Sequence, residues 1–457
     1  MTHHIRKQFL DVVYTGSAED GMNLQQRLPE LYNEHLRPAI EKVLDTTSPA
    51  DRLIVIDHLE VDVGTIAFDR LDKDFSEKLL KELESIITQK KYNGTLSEET
   101  ELHGGIAIQT IPEHLADVFI HFLKTGTLLW SFRLYEGKTL EDELMEVVPD
   151  WKNGPKSSTI AQKILQALQL TNVPKRLSNE FSVNFKKQLL HFISIEMAAA
   201  VEDIQKSRPE KGIDPSNEKP YTDYLFDIAF TYLAENKRPS ASDFKLKLTD
   251  KPAKEPSLEE VISKKQNETD DLPHQQTITK QPETTNQTEI EEDNFYIDNA
   301  GLILLHPFLP RYFETLGIIK DKQLIHPDRA LNLLHYLATG NTSSPEYELI
   351  LPKILCGLPL YLHAKSKKET SDKELEESLA LLNAVINHWS ALRNTSVDGL
   401  REGFLQRPGK LSHKKDGDWL LQLESRTHDI LLNQLPWGFN RIQLPWMKRM
   451  LWVEWSY

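Results

Sequence analysis

Apolar residues recur at helical spacing through most of the chain, whereas strand-like alternation is confined to short stretches near both ends. In the first region, residues 1–92, apolar and polar residues alternate at 4–13, and a second strand pattern follows at 53–63. Helical periodicity covers 24–44 and 69–88. This order predicts a small α/β module of the β-α-β-α type, in which the two strands pair.

The second region, residues 106–240, has the periodicity of helices almost throughout. Pro112 stands where a helix begins, Gly126 stands where one ends, and a sequence resembling a capping box starts at Thr139. The helical patterns fall at residues 115–125, 158–170, 180–206 and 219–236. We therefore predict a helical domain in this region.

Residues 245–294 differ from the rest of the chain in composition. They contain no aromatic residue, 12 acidic residues and 7 basic residues, and Pro, Gln, Thr and Asn make up much of the remainder. Such a segment buries too little apolar surface to offset the entropy lost on ordering. The composition predicts a disordered acidic linker, and a flexible chain of this length separates its ends by about 40 Å.

The fourth region, residues 295–457, begins abruptly with an apolar run at Phe295. Its helical patterns fall near residues 302–317, 327–338, 346–356 and 372–390. Asp416-Gly417 lies between strand patterns at 410–415 and 418–424 and predicts a hairpin, because this dipeptide favours positive φ. The whole chain is thus predicted to be mainly α with small α/β or β elements: an N-terminal β-α-β-α module, a helical middle, and a helical C-terminal domain ending in a β-hairpin and a Trp-rich tail.

One hexapeptide pattern occurs twice in the chain. His-Phe-Leu-Lys-Thr-Gly at 121–126 matches His-Tyr-Leu-Ala-Thr-Gly at 335–340. Two ordinary helix ends closed by glycine explain this match. Two related helical modules explain it as well, although repeat architectures need at least three copies for stability.

Charge and cysteine content narrow the class of protein. The net charge is −15, and nucleic acids and anionic membrane surfaces both require a basic footprint, so neither is an expected partner. The longest apolar runs are far too short to span a membrane, and the first residues lack the apolar core of a secretory signal. With Cys356 alone, no intrachain disulfide can form. We expect a chain that is cytoplasmic when made.

The patterns of common catalytic and cofactor sites are missing from the sequence. Gly104-Gly105 is the only tight glycine pair, and no Gly-Lys-Ser/Thr follows it, so no phosphate-binding loop is predicted. Cys356 ends an apolar helix pattern, which favours a buried, inert thiol over a nucleophile. We predict a non-enzymatic protein with no catalytic residues and no cofactor.

Histidines and carboxylates give only weak indications of a metal site or of acid–base chemistry. His58, Glu60 and Asp62 share one face of the predicted second strand and could hold a cation, but a solvated strand face explains them equally well. His306 and His326 each precede a proline, as residues at a helix entry often do. We predict structural roles for both histidines and no metal site.

Tryptophan is concentrated at the C-terminal end. Five of the eight tryptophans follow residue 418, and Leu-Pro-Trp occurs twice, at 435–437 and 444–446. Each proline makes a rigid corner, and Trp can bury roughly 150–250 Å² and is enriched at interaction hot spots. These residues either weld the end of the chain to its own domain or form a docking surface, for which the candidates are Trp437, Phe439, Trp446, Met447, Trp452 and Trp455.

The Trp-rich end resembles the C-terminal domain of contractile injection system tape measure proteins. The resemblance extends to 301–309, 388–396 and 399–407, and at the N-terminus to 4–8 and 56–64. It covers the first and fourth regions well and the second in part. The chain departs from the family pattern at Leu129, where a proline is expected, and at Gly438-Phe439, where a serine and an aliphatic residue are more usual.

The resemblance implies a non-enzymatic component of a phage-tail-like particle that sets or terminates inner tube assembly. The implied partners are tube, sheath or terminator proteins, with several copies of the chain in a symmetric assembly, and any release from the cell would be as part of a particle. A ruler requires one long helix, and even a fully helical chain of 457 residues would span only roughly 690 Å. A cap or adaptor at the end of the tube or sheath is therefore an alternative, and a cytoplasmic assembly chaperone or binding module is a second one.

Overall fold

The protein is described by a computed structural model. The described residues are 3, 5, 8–47, 52–56, 59–94, 106–135, 137–207, 221–235, 240, 243–244, 294–364, 370–392 and 394–455. The chain divides into two compact units, one comprising Met1–Asp117 and Glu146–Ile160, the other Val118–Met145 and Ala161–Tyr457. The predicted linker at 245–294 lies outside the described residues except for Asn294.

The N-terminal unit is built mainly from three long helical stretches. Helix α1 (Ala18–Leu31) continues through one π-helical turn (Tyr32–Leu36) into α2 (Arg37–Thr47), and α3 (Leu71–Gly94) packs against α2. The predicted helices at 24–44 and 69–88 are therefore confirmed. The start of α1 is capped by Ser17, whose hydroxyl accepts from the Asp20 amide at 3.2 Å. Two small apolar clusters hold the helices together: Leu31, Leu36 and Phe75, and Val43, Leu83 and Ile87.

The strand pairing of this unit differs from the prediction. Strand β1 (Arg52–Ile56) pairs antiparallel with β2 (Ile106–Thr110), and no strand forms at 8–16. The predicted strand at 53–63 also ends early, at Ile56. Acidic residues beyond that point disfavour a strand, and Ile106-Ala107-Ile108 supplies apolar residues that match β1 in length. None of the described residues of the predicted first strand lies in a strand, and the predicted pairing of that strand with 53–63 is replaced by the pairing of β1 with β2.

The middle of the chain is helical, as predicted. Its helices are α4 (Ile111–Thr125), α5 (Leu140–Asn153), α6 (Ser157–Leu168), α7 (Val173–Glu180), α8 (Val183–Ile193), α9 (Ile195–Ser207) and α10 (Tyr221–Glu235). The single helix predicted at 180–206 is wrong. Ser182 caps a new start at α8, where its hydroxyl accepts from the Phe185 amide, and extended backbone at Ser194 separates α8 from α9.

The C-terminal part of the second unit has one large apolar core. This part begins with β3 (Phe295–Ile297) and a 3₁₀ helix (Ala300–Leu305). It continues with short helices and a hairpin whose strands have two residues each. The elements are α11 (Leu309–Thr315), β4 (Ile319–Lys320), β5 (Gln323–Leu324), α12 (Pro327–Thr339), a 3₁₀ turn (Glu346–Glu348), α13 (Ile350–Leu355), α14 (Asp372–His388), a 3₁₀ turn (Ser390–Leu392), α15 (Val397–Leu400) and a π-helical turn (Arg401–Leu405). The predicted helix at 302–317 is thus divided in two.

A five-stranded sheet completes this core. The predicted hairpin is confirmed as β6 (Gly409–His413) and β7 (Trp419–Leu423), joined by a turn in which Gly417 has φ +81°. A 3₁₀ helix (Thr427–Gln434) leads to β8 (Arg441–Ile442) and β9 (Leu451–Trp455), and the strand order is β3-β6-β7-β9-β8. Strand β9 lies parallel to β7. Because side chains alternate along each strand, one face packs on the core and the other faces outward.

The echoed hexapeptides end helices α4 and α12 in the same way. Gly126 and Gly340 both have φ +78°, so both helices close with a left-handed residue, as predicted. The likeness extends to two arginines from elsewhere in the chain. Arg176 donates to the carbonyl oxygen of the third residue of the first hexapeptide, and Arg401 donates to that of the third residue of the second. The two helix ends therefore share a glycine and a guanidinium cap.

Candidate functional site

The six predicted docking residues divide into two groups. Phe439, Met447 and Trp455 are buried in the core, and Trp437, Trp446 and Trp452 are partly exposed. The buried group packs tightly: the Phe439 and Trp455 rings meet edge to face at 5.7 Å, and the Met447 sulfur accepts from the Leu444 amide. These three residues contact the interior of their own unit. The partly exposed tryptophans are the members that a partner could touch.

The two Leu-Pro-Trp units place their indoles at the ends of helical segments. Trp437 Nε1 donates to the Leu304 carbonyl oxygen at 3.1 Å, and Trp446 Nε1 donates to the Leu355 carbonyl oxygen at 2.8 Å. Both carbonyls belong to the last turn of a helix, where backbone acceptors have no partner within the helix. Neither Leu-Pro-Trp unit lies in a strand or helix, as the proline corners predict. The repeat therefore works as a pair of indole caps.

Trp452 occupies a different setting, on the outward face of the sheet. Its Nε1 donates to Asp418 Oδ2 at 3.1 Å. The Lys414 ammonium lies 4.3 Å from the centre of the indole, and the Arg441 guanidinium lies 5.7 Å from it. A cation within about 6 Å of a ring is attracted by its quadrupole. The indole is thus held in one orientation by an acid and two cations.

The register of the strands assembles further side chains around Trp452. Leu420 and Arg441 are its cross-strand partners, and the next row on the same face contains Lys410, Gln422 and Glu454. Gln422 Nε2 donates to Glu454 Oε2 at 2.8 Å. We call this surface the outer sheet face, defined by Lys410, Leu420, Gln422, Arg441, Trp452 and Glu454. It combines a rigid aromatic ring with three cations when Lys414 at its rim is included.

A buried ion pair fixes the end of the sheet to the segment before it. Arg407 NH2 lies 2.7 Å from Asp429 Oδ1, and neither side chain is exposed. Trp455 Nε1 donates to the other oxygen of Asp429 at 3.0 Å, while Arg407 also donates to the Gly403 carbonyl oxygen. Buried charges are tolerated only when they are paired and hydrogen-bonded. Trp455 is therefore part of a polar lock inside the core.

A second buried charge cluster centres on Glu346. Its carboxylate accepts from Arg176 at 2.8 and 3.0 Å, from Lys353 at 2.7 Å and lies 2.6 Å from His363 Nδ1. Burial alone would raise the pKa of Glu346, but Lys353, His363 and Arg176 together hold it well below its ordinary value. Burial, and next the charge of Glu346, raises the pKa of Glu180 to about 7. One carboxyl of the cluster thus stays ionised while another is poised to titrate.

This cluster is also where three potential metal ligands meet. Ligand atoms of Glu180, Glu346 and His363 all lie within 4.8 Å of one another. Arg176 and Lys353 already neutralise Glu346, and their positive charges oppose a metal ion at the same place. Of the other group weighed as ligands, His58 lies outside the described residues, and Glu60 and Asp62 are exposed.

Other groups that could carry chemistry have structural partners or are buried. Burial raises the pKa of the Cys356 thiol strongly, which agrees with the predicted inert cysteine. His306 Nδ1 lies 2.9 Å from the Ile303 carbonyl oxygen, and His326 immediately precedes α12. Gly104 and Gly105 lie outside the described residues.

An open cavity of about 380 Å³ in the N-terminal unit is lined by the start of α4 and the end of α5. Glu113 at its wall pairs with Lys156 at 3.3 Å. The Trp151 indole donates to the Pro112 carbonyl oxygen at 2.7 Å and closes one side. Glu113, Lys156 and Trp151 are thus engaged in structural contacts.

One family model matches the chain over almost its whole length. The model of the family described as contractile injection system tape measure protein matches residues 2–455. The chain belongs to this family. The resemblance predicted from the Trp-rich end is confirmed, and in this tape measure protein it includes the middle region. No curated protein and no solved structure matches the chain. Within the described ranges, no helix of the tape measure protein combines the length and apolar character needed to cross a membrane.

Sequence reasoning missed the two buried ion clusters of the tape measure protein. Glu346 and Arg176 are far apart in sequence, and neither belongs to a recognisable motif. One signal was available: Arg176 lies between the buried residues Val173 and Leu177, on the apolar stripe of α7. A charged residue at a core position indicates a buried partner, but the stripe does not say which.

Proposed function

We propose that this tape measure protein acts without catalysis in inner tube assembly, where it sets or terminates the tube by binding at one end. The family match over residues 2–455 carries the assignment to the contractile injection system. The end-binding role rests on the shortness of the helices in the described part of the chain. In this proposal the chain is cytoplasmic during assembly, joins the particle, and contacts tube, sheath or terminator proteins.

The lengths of the helices favour end binding over measuring. A ruler inside a tube would be a long continuous helix that rises 1.5 Å per residue. The longest uninterrupted α-helix described, α3, has 24 residues and is therefore about 36 Å long, and the continuous helical stretch from α1 through the π-helical turn to α2 spans residues 18–47 and is about 45 Å long. The other described helices are shorter than these two stretches. Folded units of this kind are suited to seating on a ring.

The outer sheet face is the surface that we assign to docking. Trp452 is held rigidly, so little side-chain entropy is lost when a partner covers it. Trp and Arg are the residue types that most often dominate binding energy, and Arg441 lies against the indole. Lys410, Lys414 and Arg441 outnumber the nearby carboxylates Asp418 and Glu454, so this face carries a small positive charge in a chain of net charge −15. A partner segment that combines carboxylates with an apolar side chain would complement it.

Particle length distinguishes end binding from measuring. Removing about half of residues 245–294 should leave the tube length unchanged, because an end-binding protein does not span the tube. A tube shortened in proportion to the deletion would identify a ruler instead. Deletion of the whole gene provides the reference: it should give particles of wrong length or none, and normal full-length particles would contradict a role in tube assembly.

The docking surface is tested by particle incorporation. Trp452→Ala should leave the fold intact but remove the chain from purified particles, as measured by mass spectrometry. Ile430→Ala is the matched control, since Ile430 is an apolar residue of the same unit that is 66 % exposed and lies away from the sheet strands. Equal incorporation of both variants would rule out the outer sheet face as the docking surface.

A further inference from the structure

A mostly apolar segment, Leu10-Asp11-Val12-Val13, lies near the start of the chain. Leu10, Val12 and Val13 expose 39 %, 41 % and 92 % of their surface. They belong to no helix or strand, and within the described ranges these three residues form no hydrogen bond. β-branched and other large apolar residues of this type are enriched in strands. The segment is therefore a strand-forming sequence without a strand partner among the described residues.

The same unit contains a sheet that is incomplete in two respects. Strands β1 and β2 pair only with each other in the described part of the chain, so each has an edge without a neighbouring strand. A two-stranded sheet is marginally stable by itself. In addition, the four apolar residues of β1, which are Leu53, Ile54, Val55 and Ile56, are all only partly buried. Continuous apolar strands are ordinarily covered on both faces.

We propose that residues 10–13 of one copy of the chain add as a strand to the edge of β1 in a second copy. The addition would pair the backbone of the segment and cover Leu10 and Val12, which share one side of a strand, while Asp11 and Val13 share the other. Main-chain hydrogen bonds supply affinity in this mode of recognition, and alternate side chains supply specificity. The interface is thus a strand exchange between copies through their N-terminal units, independent of the outer sheet face and of the proposed end-binding role.

The occupant is argued from the match between donor and acceptor. The sequence pattern favours a pairing between the N-terminal segment and the strand that begins at residue 53, yet β1 pairs with β2 and leaves the segment outside. The same unit thus contains the N-terminal segment and the strand β1, and these two do not pair with each other. A second copy of the chain supplies the missing strand from the same sequence.

Cysteine cross-linking tests the pairing in the full-length protein. One preparation carries Val12→Cys and the other carries Ile54→Cys. Mixed and treated with a short bismaleimide, they should give a covalent dimer that neither preparation forms to the same extent alone. Cys356 can stay in place because it is buried and burial raises its pKa, so its thiolate is scarce. The parent protein without added cysteines reports any remaining background.

Two controls make the outcome decisive. Met22→Cys replaces Val12→Cys in a parallel mixture, since Met22 is 68 % exposed on α1 and is not part of the segment. Dimer yield at the level of this control would overturn the proposal. So would a cross-link confined to single chains of the double variant Val12→Cys/Ile54→Cys, because the segment would then bind its own sheet.

A charge in the segment gives an independent readout. Leu10→Asp in the Val12→Cys preparation should reduce dimer yield by roughly tenfold, because Leu10 and Val12 share the apolar side of the segment, opposite to Asp11, and an unpaired carboxylate would be buried there. Met22→Asp should leave the yield unchanged. An undiminished dimer in the Leu10→Asp protein would contradict strand addition even if cross-linking succeeded.

Discussion

Arg176 donates hydrogen bonds to both carboxylate oxygens of Glu346, although 170 residues separate the two in sequence. Both side chains are fully buried. Arg176 also donates to the Leu123 carbonyl oxygen at the end of α4. One guanidinium therefore joins a helix of the middle region, a helix end and the C-terminal part of the same unit. The stability of the middle helices therefore depends on Glu346, which follows the acidic segment 245–294 in the sequence.

Breaking this ion pair should destabilise the unit strongly. Arg176→Met leaves Glu346 buried with Lys353 and His363 as its remaining partners, and the free energy of unfolding should fall by about 3 kcal/mol. Urea denaturation measures the change. Lys187→Met is the control, because Lys187 forms a half-exposed pair with Glu202 at 3.0 Å and such pairs contribute little. Equal losses in the two variants would show that burial of the pair is unimportant.

Stability near Glu180 should depend on pH in a defined direction. Burial and the charge of Glu346 raise its pKa from 4.5 to about 7, so the protonated form is favoured by folding. That contribution is fully present below pH 4.5 and is lost as pH rises through about 7. Glu180→Gln keeps the carboxamide neutral, so its stability relative to the parent should increase across this window. A difference between the two proteins that stays constant with pH would refute the raised pKa.

Gly301 should be intolerant of any side chain. A Cβ at this position would lie 1.7 Å from the Phe404 carbonyl oxygen, and backbone cannot move aside easily. Gly301→Ala should lower the free energy of unfolding by about 3 kcal/mol, at the upper end of overpacking costs. Gly403→Ala is the control, since a Cβ there meets nothing within 4 Å and alanine restricts the unfolded chain. Thermal unfolding of both variants would show whether close backbone approach is the cause.

Trp455 and Trp452 should respond differently to loss of the indole N–H. Trp455→Phe removes a buried donor to Asp429, and the free energy of unfolding should fall by about 2 kcal/mol. Trp452→Phe removes a donor to Asp418, which is partly exposed and can bind water instead, so its effect on stability should be small. Chemical denaturation followed by fluorescence compares them. A larger loss in Trp452→Phe would mean that the outward indole carries the sheet.

Features fixed by local interactions could be predicted from the sequence. The turn at Asp416-Gly417, the glycine at the end of α4 and the start of α12 at Pro327 all depend on residues within one turn of each other. Their signals are backbone preferences that hold in almost any context. The mainly helical fold followed from periodicity for the same reason.

Features that depend on distant residues could not be predicted. Several apolar segments of the sequence could have paired with β1. The residues of β1 alone do not indicate which of these segments becomes its partner. Likewise, the Trp-rich end could not be sorted into core and surface from composition, because the register of β9 decides it. A shift of one residue would turn Trp452 inward and Trp455 outward.

The position of β9 has a consequence for synthesis of the protein. This strand lies between β7 and β8 inside the sheet, yet it consists of residues 451–455. The ribosome must therefore deliver the chain through Trp455 before the sheet can close. A product that stops earlier would present the edge of β7 with Leu421 and Leu423 beside it, a surface that invites aggregation.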